Sequence, residues 1–298
     1  MKTFLDCIPC FVRQALDAAR LATDDQAIHE QILREVLRKI LELDFSQSPP
    51  QMGRYIHTFV RELADVKDPY RRIKDKFNRL VMDLYPELKS KVDCSSDPLA
   101  TAVRLAIAGN IIDFGIRPDL EESAIKDAVS HAMLAPLDGP MSQLAKRIPE
   151  ADEILYLADN AGEIVFDRLL IERLPMEKVT VVVKAGPIIN DATLTDAVEV
   201  GLTKLVKVID NGTDAPGTIL DDCSEAFQQR FDEADLVIAK GQGNYETLND
   251  LEKDIFFILK AKCPVVARDL GVQVNESVLQ RSQSAPAATK GGEHNATR

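Results

Sequence analysis

Four short apolar runs in the second half of the chain restrict the fold more than any other feature. Each ends in polar or glycine residues, and each is followed by helical spacing. The first, Ile154 to Leu157, reads as a strand buried on both faces; it runs into Asp159-Asn160-Ala161-Gly162-Glu163, and helical spacing then extends to Leu174. Val179 to Lys184 leads into Ala185-Gly186-Pro187-Ile188-Ile189-Asn190-Asp191-Ala192-Thr193, with helical spacing from Leu194. Leu205 to Ile209 runs into Asp210-Asn211-Gly212, and Leu236 to Ala239 runs into Lys240-Gly241-Gln242-Gly243-Asn244. Such alternation predicts a doubly wound, mostly parallel α/β/α sandwich. All its strand-to-helix loops open on one edge, where ligands bind, so the residues that end the runs are the candidate site.

Residues 1–149 show helical spacing and almost no β-type alternation, which predicts an N-terminal all-helical domain. Phe11, Ala15, Ala18 and Ala22 share one face, as do Ile28, Ile32, Val36 and Ile40. Ser48-Pro49-Pro50 reads as a break before Tyr55, Phe59 and Leu63. Asp68-Pro69-Tyr70 reads as a helix start with Pro69 in the first helical position, and Asp97-Pro98 as an N-cap and first residue. Further helices are expected over Asp119 to Met133 and Met141 to Ile148. An α/β/α metal-binding domain is expected over 150–281, and a disordered tail over 282–298, where apolar periodicity ends.

A net charge of −12 argues against a nucleic-acid partner, which needs a basic face. It also means that any phosphate has to be held by local devices: a metal ion, a lysine or backbone amides. No run approaches the roughly 18 apolar residues of a membrane span, and the start lacks a secretory pattern, so a cytoplasmic location with no membrane partner is expected. Five cysteines, odd in number, fit reduced thiols. Cys7-x-x-Cys10 reads either as two small buried residues or as a redox or metal pair.

Asp159, Asn160 and Asp191 form a hard, all-oxygen ligand set from neighbouring strand ends. Such a set suits magnesium or manganese better than zinc, and none of the four histidines is near these loops in sequence. The competing reading is that Asp159 and Asp191 only cap the following helices. Lys240 before a Gly-x-Gly loop suggests a phosphate cradle, against the plainer reading of a lysine beside a tight turn. Asn211-Gly212 alone is a turn signal. An aspartyl-phosphate nucleophile is disfavoured because Ala161 occupies the position where a second aspartate is expected.

Taken together, Asp159-Asn160-Ala161-Gly162-Glu163, Ile189-Asn190-Asp191-Ala192-Thr193-x-x-Asp196-Ala197, Asn211-Gly212 and Lys240-Gly241-x-Gly243-Asn244-x-Glu246 resemble the metal-dependent damage-control phosphatases, the acidic-residue methyltransferase-like group. So do Cys7-x-x-Cys10-x-x-x-Gln14-Ala15, Asp68-Pro69-Tyr70 with Lys74 and Asn78, and Gly109-Asn110-x-Ile112-Asp113-Phe114-Gly115. The cysteine pair is similar to that of the short prokaryotic branch, and the resemblance covers roughly residues 4 to 280. It implies a divalent cation, magnesium or manganese with cobalt and nickel as further candidates, held by Asp159, Asn160 and Asp191. It implies a small phosphorylated metabolite, such as a sugar phosphate, as substrate. Lys240 matches a phosphate-contacting lysine, and Asn110 and Asp113 match a loop near the site. The expected reaction is hydrolysis of a phosphate monoester by metal-activated water, with Glu163 or Asp113 as its base and Asn110, Asn211, Gly241 and Asn244 around the substrate. A methyltransferase using S-adenosylmethionine and a non-catalytic sensor of phosphometabolites stand as alternatives. The oligomeric state is left open. The metal reading requires that Asp159 and Asp191 meet.

Overall fold

The computed structural model describes residues 1–110, 122–134 and 139–282. Its sheet grows from short runs whose side chains alternate between two apolar layers, the period-2 pattern of an extended chain buried on both faces. The strands are β1 (Ile154–Leu157), β2 (Val179–Val183), β3 (Lys207–Asp210), β4 (Leu236–Lys240), β5 (Ile255–Lys260) and β6 (Ser277–Arg281), in the order β3-β2-β1-β4-β5-β6. The first five are parallel, and β6 pairs antiparallel with β5. Ile154, Tyr156, Val181 and Ile238 face one layer, while Leu155, Leu157, Val182 and Val237 face the other.

The helices are α1 (Cys7–Ala22), α2 (Gln26–Leu41), α3 (Pro49–Ala64), α4 (Arg71–Asp93), α5 (Pro98–Gly109), α6 (Glu122–Leu134) and α7 (Met141–Glu150) before the sheet. Within and after it come α8 (Glu163–Ile171), α9 (Leu194–Glu199), α10 (Glu225–Glu233), α11 (Gly241–Leu248) and α12 (Pro264–Leu270). Helix α8 is apolar nearly all round because it lies between the sheet and α4 and α5; of its residues only Arg168 is not buried. A side chain at Gly109 would place its Cβ 2.9 Å from Phe166, so glycine is what lets α5 approach α8 this closely. Helices α10, α11 and α12 cover the opposite face.

The helical first half does not form one separate body. Helices α1 to α3 enclose their own core of Phe11, Ala15, Ile32, Val36, Ile56 and Val60. Phe77 and Val81 of α4, Leu105 of α5, Ile125 of α6 and Leu144 of α7 belong to the same apolar core as the sheet. The change of sequence pattern near Pro149 therefore marks a change of element type, not a break in packing.

Three local expectations are corrected. Pro49 and Pro50 open α3, with Ser48 as its N-cap position, because the first helical turn needs no N–H donor. Strands β5 and β6 extend the sheet beyond the four expected units. Ser282, placed in the expected tail, continues the sheet: its N–H donates to the Ile255 carbonyl at 2.8 Å and its hydroxyl to the Lys253 carbonyl at 2.5 Å. The rest of the expected tail, 283–298, and the turn 111–121 with Asp113 lie outside the described residues.

Candidate functional site

Strand order reverses between β1 and β4, so the loops after these strands leave the sheet side by side and open a crevice. Gly241 begins α11 with φ of +81°, and a Cβ there would lie 1.9 Å from Asp159 Oδ2. Glycine is thus required twice at this position, for its backbone conformation and for the approach of the Asp159 carboxylate.

The loops after β1 and β2 are joined backbone to backbone. Ala192 N–H donates to the Asp159 carbonyl at 2.7 Å, Ala161 N–H donates to the Asn190 carbonyl at 2.8 Å, and Asn160 and Asp191 form an isolated antiparallel bridge. Asp159, Asn160 and Asp191 are therefore brought together from separate crossover units. Neither carboxylate caps a helix: Gly162 is the N-cap of α8, and Thr193 with Asp196 forms a capping box on α9.

Around this pair the side chains divide into two groups. Asn160 Nδ2 donates to Asp159 Oδ2 at 2.8 Å and to Glu163 Oε2 at 3.0 Å, which leaves its amide oxygen as the atom with acceptor capacity for a ligand. Asn110 Nδ2 lies between Asp159 Oδ2 at 3.2 Å and the Glu163 carboxylate at 3.0 and 3.1 Å. Asp191 Oδ2 is buried with no hydrogen-bond partner, and Lys184 Nζ approaches it only to 3.7 Å. Burial, followed by the charges of Glu163 and Asp191, pushes the Asp159 carboxyl well above the usual carboxylate range. Burial also raises Asp191 to about 6, against the opposing charges of Lys184 and Lys74.

The second group is built around one buried lysine. Lys240 Nζ donates to Glu163 Oε1 at 2.5 Å, Asp167 Oδ1 at 2.6 Å and the Ala106 carbonyl at 3.0 Å, and all three residues that bear charge are 0% exposed. Tyr156 adds its hydroxyl to Asp167 Oδ1 at 2.8 Å. Burial alone would lower the Lys240 pKa, but Asp167 and Glu163 hold it above its ordinary value. The expected role of Lys240 was a phosphate cradle; an ammonium has three N–H donors, and here each is directed into the protein. Glu163 has both oxygens hydrogen-bonded and no exposure.

The remaining expected residues build walls. Asn211 is buried with its Oδ1 on the Thr213 N–H at 3.2 Å, the plain turn its sequence suggested. Asn244 donates to the Lys240 carbonyl at 2.7 Å and accepts from Thr218 at 2.7 Å, fixing the start of α11 to residues 213–218. Cys7 and Cys10 carry free thiols, Cys10 exposed.

Sequence reasoning missed Lys184, Asp167 and Lys262. Lys184 ends an apolar strand just as Lys240 does, and its Nζ bonds the Gly217 carbonyl beside Asp191. Asp167 stands four residues after Glu163 in an otherwise apolar helix, a spacing that puts both acids on one face. Lys262, after β5, acts on both Asp159 and Asp191 by its charge and carries no local sequence signal.

The donor set fits a divalent cation. Two carboxylates and an amide side chain come from backbone-linked loops, the two carboxylates act on each other by charge, and one oxygen of Asp191 is buried without any hydrogen bond. Among the described residues no three acidic, histidine or cysteine side chains are grouped as a metal cage. A cation here would depend on the Asn160 oxygen and on ligands from substrate or water.

Comparison with known proteins shows the family and the fold. Residues 3–278 match the profile described as the damage-control phosphatase ARMT1-like domain. The chain is 37% identical over 283 residues to a damage-control phosphatase of Archaeoglobus fulgidus, covering 92% of this chain and 97% of that one. It is 36% identical over 292 residues to damage-control phosphatase PH1575 of Pyrococcus horikoshii, covering 95% and 99%. The crystal structure of that DUF89 family protein superposes with a TM-score of 0.87 at 34% identity, covering 95% of this chain and all of the other.

Proposed function

The chain belongs to the damage-control phosphatase ARMT1-like family, and from that premise we propose that it hydrolyses the phosphate monoester of a small phosphorylated metabolite with a divalent cation, magnesium or manganese, held by Asp159, Asn160 and Asp191. The relatives' shared name supports the phosphatase role. The observation that carries the metal dependence is the pair of carboxylates, Asp159 and Asp191, on cross-bonded loops with one buried oxygen unpartnered.

A bound divalent cation supplies charge for the phosphoryl oxygens and lowers the pKa of a water that it binds. The chain's own residues do the rest. Asn110 and Asn160 orient Asp159 by their amide donors and at the same time tie it to Glu163. The Lys240–Glu163–Asp167 cluster anchors this floor so that Asp159 keeps its position while substrate charge accumulates above it. Lys262 directs positive charge toward the two carboxylates and is the side chain we assign to the incoming phosphate. Glu163 or Asp113 would act as the base for the water.

The test is phosphate release from a panel of sugar phosphates and other small monoesters with magnesium, manganese, cobalt or nickel, with and without chelator. Metal-dependent release that chelator abolishes is expected. Release insensitive to chelator, or none with any metal across the panel, would overturn the reading.

A further inference from the structure

We infer that α4 of the helical half supports both carboxylate loops at once: Asn78 and Lys74, acting through Asp196 of α9, set the spacing of Asp159 and Asp191 and thereby the affinity for a divalent cation. The inference rests on the metal-site reading above and adds positioning residues that touch neither metal nor substrate.

The contacts close a ring. Asn78 is 0% exposed, and its Oδ1 accepts the Gly162 N–H at 2.7 Å, at the end of the loop that bears Asp159 and Asn160. Its Nδ2 donates to Asp196 Oδ1 at 3.0 Å and to Glu199 Oε2 at 2.8 Å. Asp196, also 0% exposed, accepts on Oδ2 from the Thr193 N–H at 2.8 Å and the Thr193 hydroxyl at 2.7 Å. Lys74 Nζ lies 2.9 Å from the same oxygen, and Arg71 Nη2 lies 3.0 Å from the other. Thr193 follows Ala192, whose N–H returns to the Asp159 carbonyl. Each metal-bearing loop is thus fastened to the other and to one helix that carries no metal ligand.

The chemistry gives this ring a consequence. Burial alone would raise the Asp196 carboxyl, but Lys74 and Thr193 hold it below the usual range, so it stays charged and keeps its bonds at neutral pH. A plainer role would be to staple α4 onto the sandwich. That role predicts lost stability and nothing specific to the loops.

The two roles are separated by comparing Asn78→Ala and Asp196→Asn with Arg147→Ala in the full chain. Arg147 makes a 2.7 Å ion pair with Asp254, joining α7 to the residue before β5, and takes no part in the ring. Two readouts are used: manganese affinity by calorimetry, and amide hydrogen exchange at Gly162 and Thr193 in the metal-free protein. Either ring variant is expected to weaken manganese binding by about 10- to 100-fold, the usual loss when an outer partner of a metal ligand is removed. Asn78→Ala is also expected to speed exchange at Thr193, which Asn78 does not touch, as well as at Gly162. Lys74→Arg, which keeps the charge, should remain within about threefold of wild type, well short of the loss that removal brings. Arg147→Ala should change neither readout beyond its global loss of stability. Wild-type manganese affinity in Asn78→Ala, or faster exchange at Gly162 with Thr193 unchanged, overturns the inference. Should the wild-type chain bind no manganese, the metal-site reading fails, and the exchange result alone decides whether α4 couples the two loops.

Discussion

Two clusters of buried carboxylates adjoin each other at the carboxyl edge of the sheet, and only one of them has a lysine in direct hydrogen-bond contact with both acids. Glu163 and Asp167 share Lys240, whose three donors are all directed into the protein. Asp159 and Asp191 have Lys184 held at 3.7 Å and feel the charge of Lys262, and one oxygen of Asp191, like Asp167 Oδ2 in the other cluster, has no hydrogen bond. Residue type is the same in both; what differs is the partner. A buried charge without full compensation is expensive, and folded chains keep such groups where function uses them. On the proposed function, the closed cluster is scaffold and the open one would hold the cation.

The comparison is broken most directly at the open pair. Asp191→Asn should lower metal-dependent turnover by at least about 10³-fold, because it removes ligand charge that nothing else replaces. Its melting temperature should not fall, since the substitution also removes like-charge repulsion with Asp159. Near wild-type turnover would end the distinction between the clusters.

At the closed cluster the expected damage is to stability. Lys240→Met leaves Glu163 and Asp167 buried without a cation, a change that costs about 3–5 kcal/mol in comparable sites. Urea unfolding measures it. A loss under about 1 kcal/mol would mean that Lys240 is not the compensating charge and would return it to consideration as a phosphate ligand.

The smallest effect is a pH dependence. Asp191 is raised to about 6 in the folded metal-free protein, above its unfolded value, so its contribution to stability is present below the unfolded pKa and is lost as pH rises through about 6. Wild type and Asp191→Asn should accordingly match near pH 4 and diverge by pH 7, the variant becoming the more stable by on the order of 2 kcal/mol. Saturating manganese should abolish the divergence by stabilising only the wild type. A constant difference across this range would show that the open pair is not strained by its own charge. His57 contributes with the opposite sign: burial holds it neutral, with a pKa of about 3, so its share is present above its unfolded pKa and lost as pH falls. It is common to both proteins and cancels in the difference.

Much of the site was legible because it follows from local pattern. An apolar run that stops at Asp159-Asn160, and another that reaches Asp191 after a proline-containing loop, place oxygen ligands at strand ends by periodicity alone. The capping box on α9 could also have been read, since Thr193 and Asp196 stand at the capping spacing, and it would have excluded Asp191 as the cap. Strand β5 was overlooked although Ile255 to Leu259 is wholly apolar, because a short run of that kind fits a buried helix equally well. For Lys240 the strand-end position was visible, but Ala106, Glu163 and Asp167, which occupy its donors, were not.

By itself, then, the sequence determined the element types, the edge of the sheet where the loops open and the hard-oxygen character of the ligands there. Each of these depends on residues within a few positions of one another along the chain. The tertiary structure alone decided which charges are satisfied: Lys240 bonds a carbonyl 134 positions away and a carboxylate 77 away, and Asn78 reaches a loop 84 positions on. Electrostatic compensation acts over a few ångströms of space without regard to chain distance, so which aspartate a lysine compensates is set by the fold and not by the local sequence.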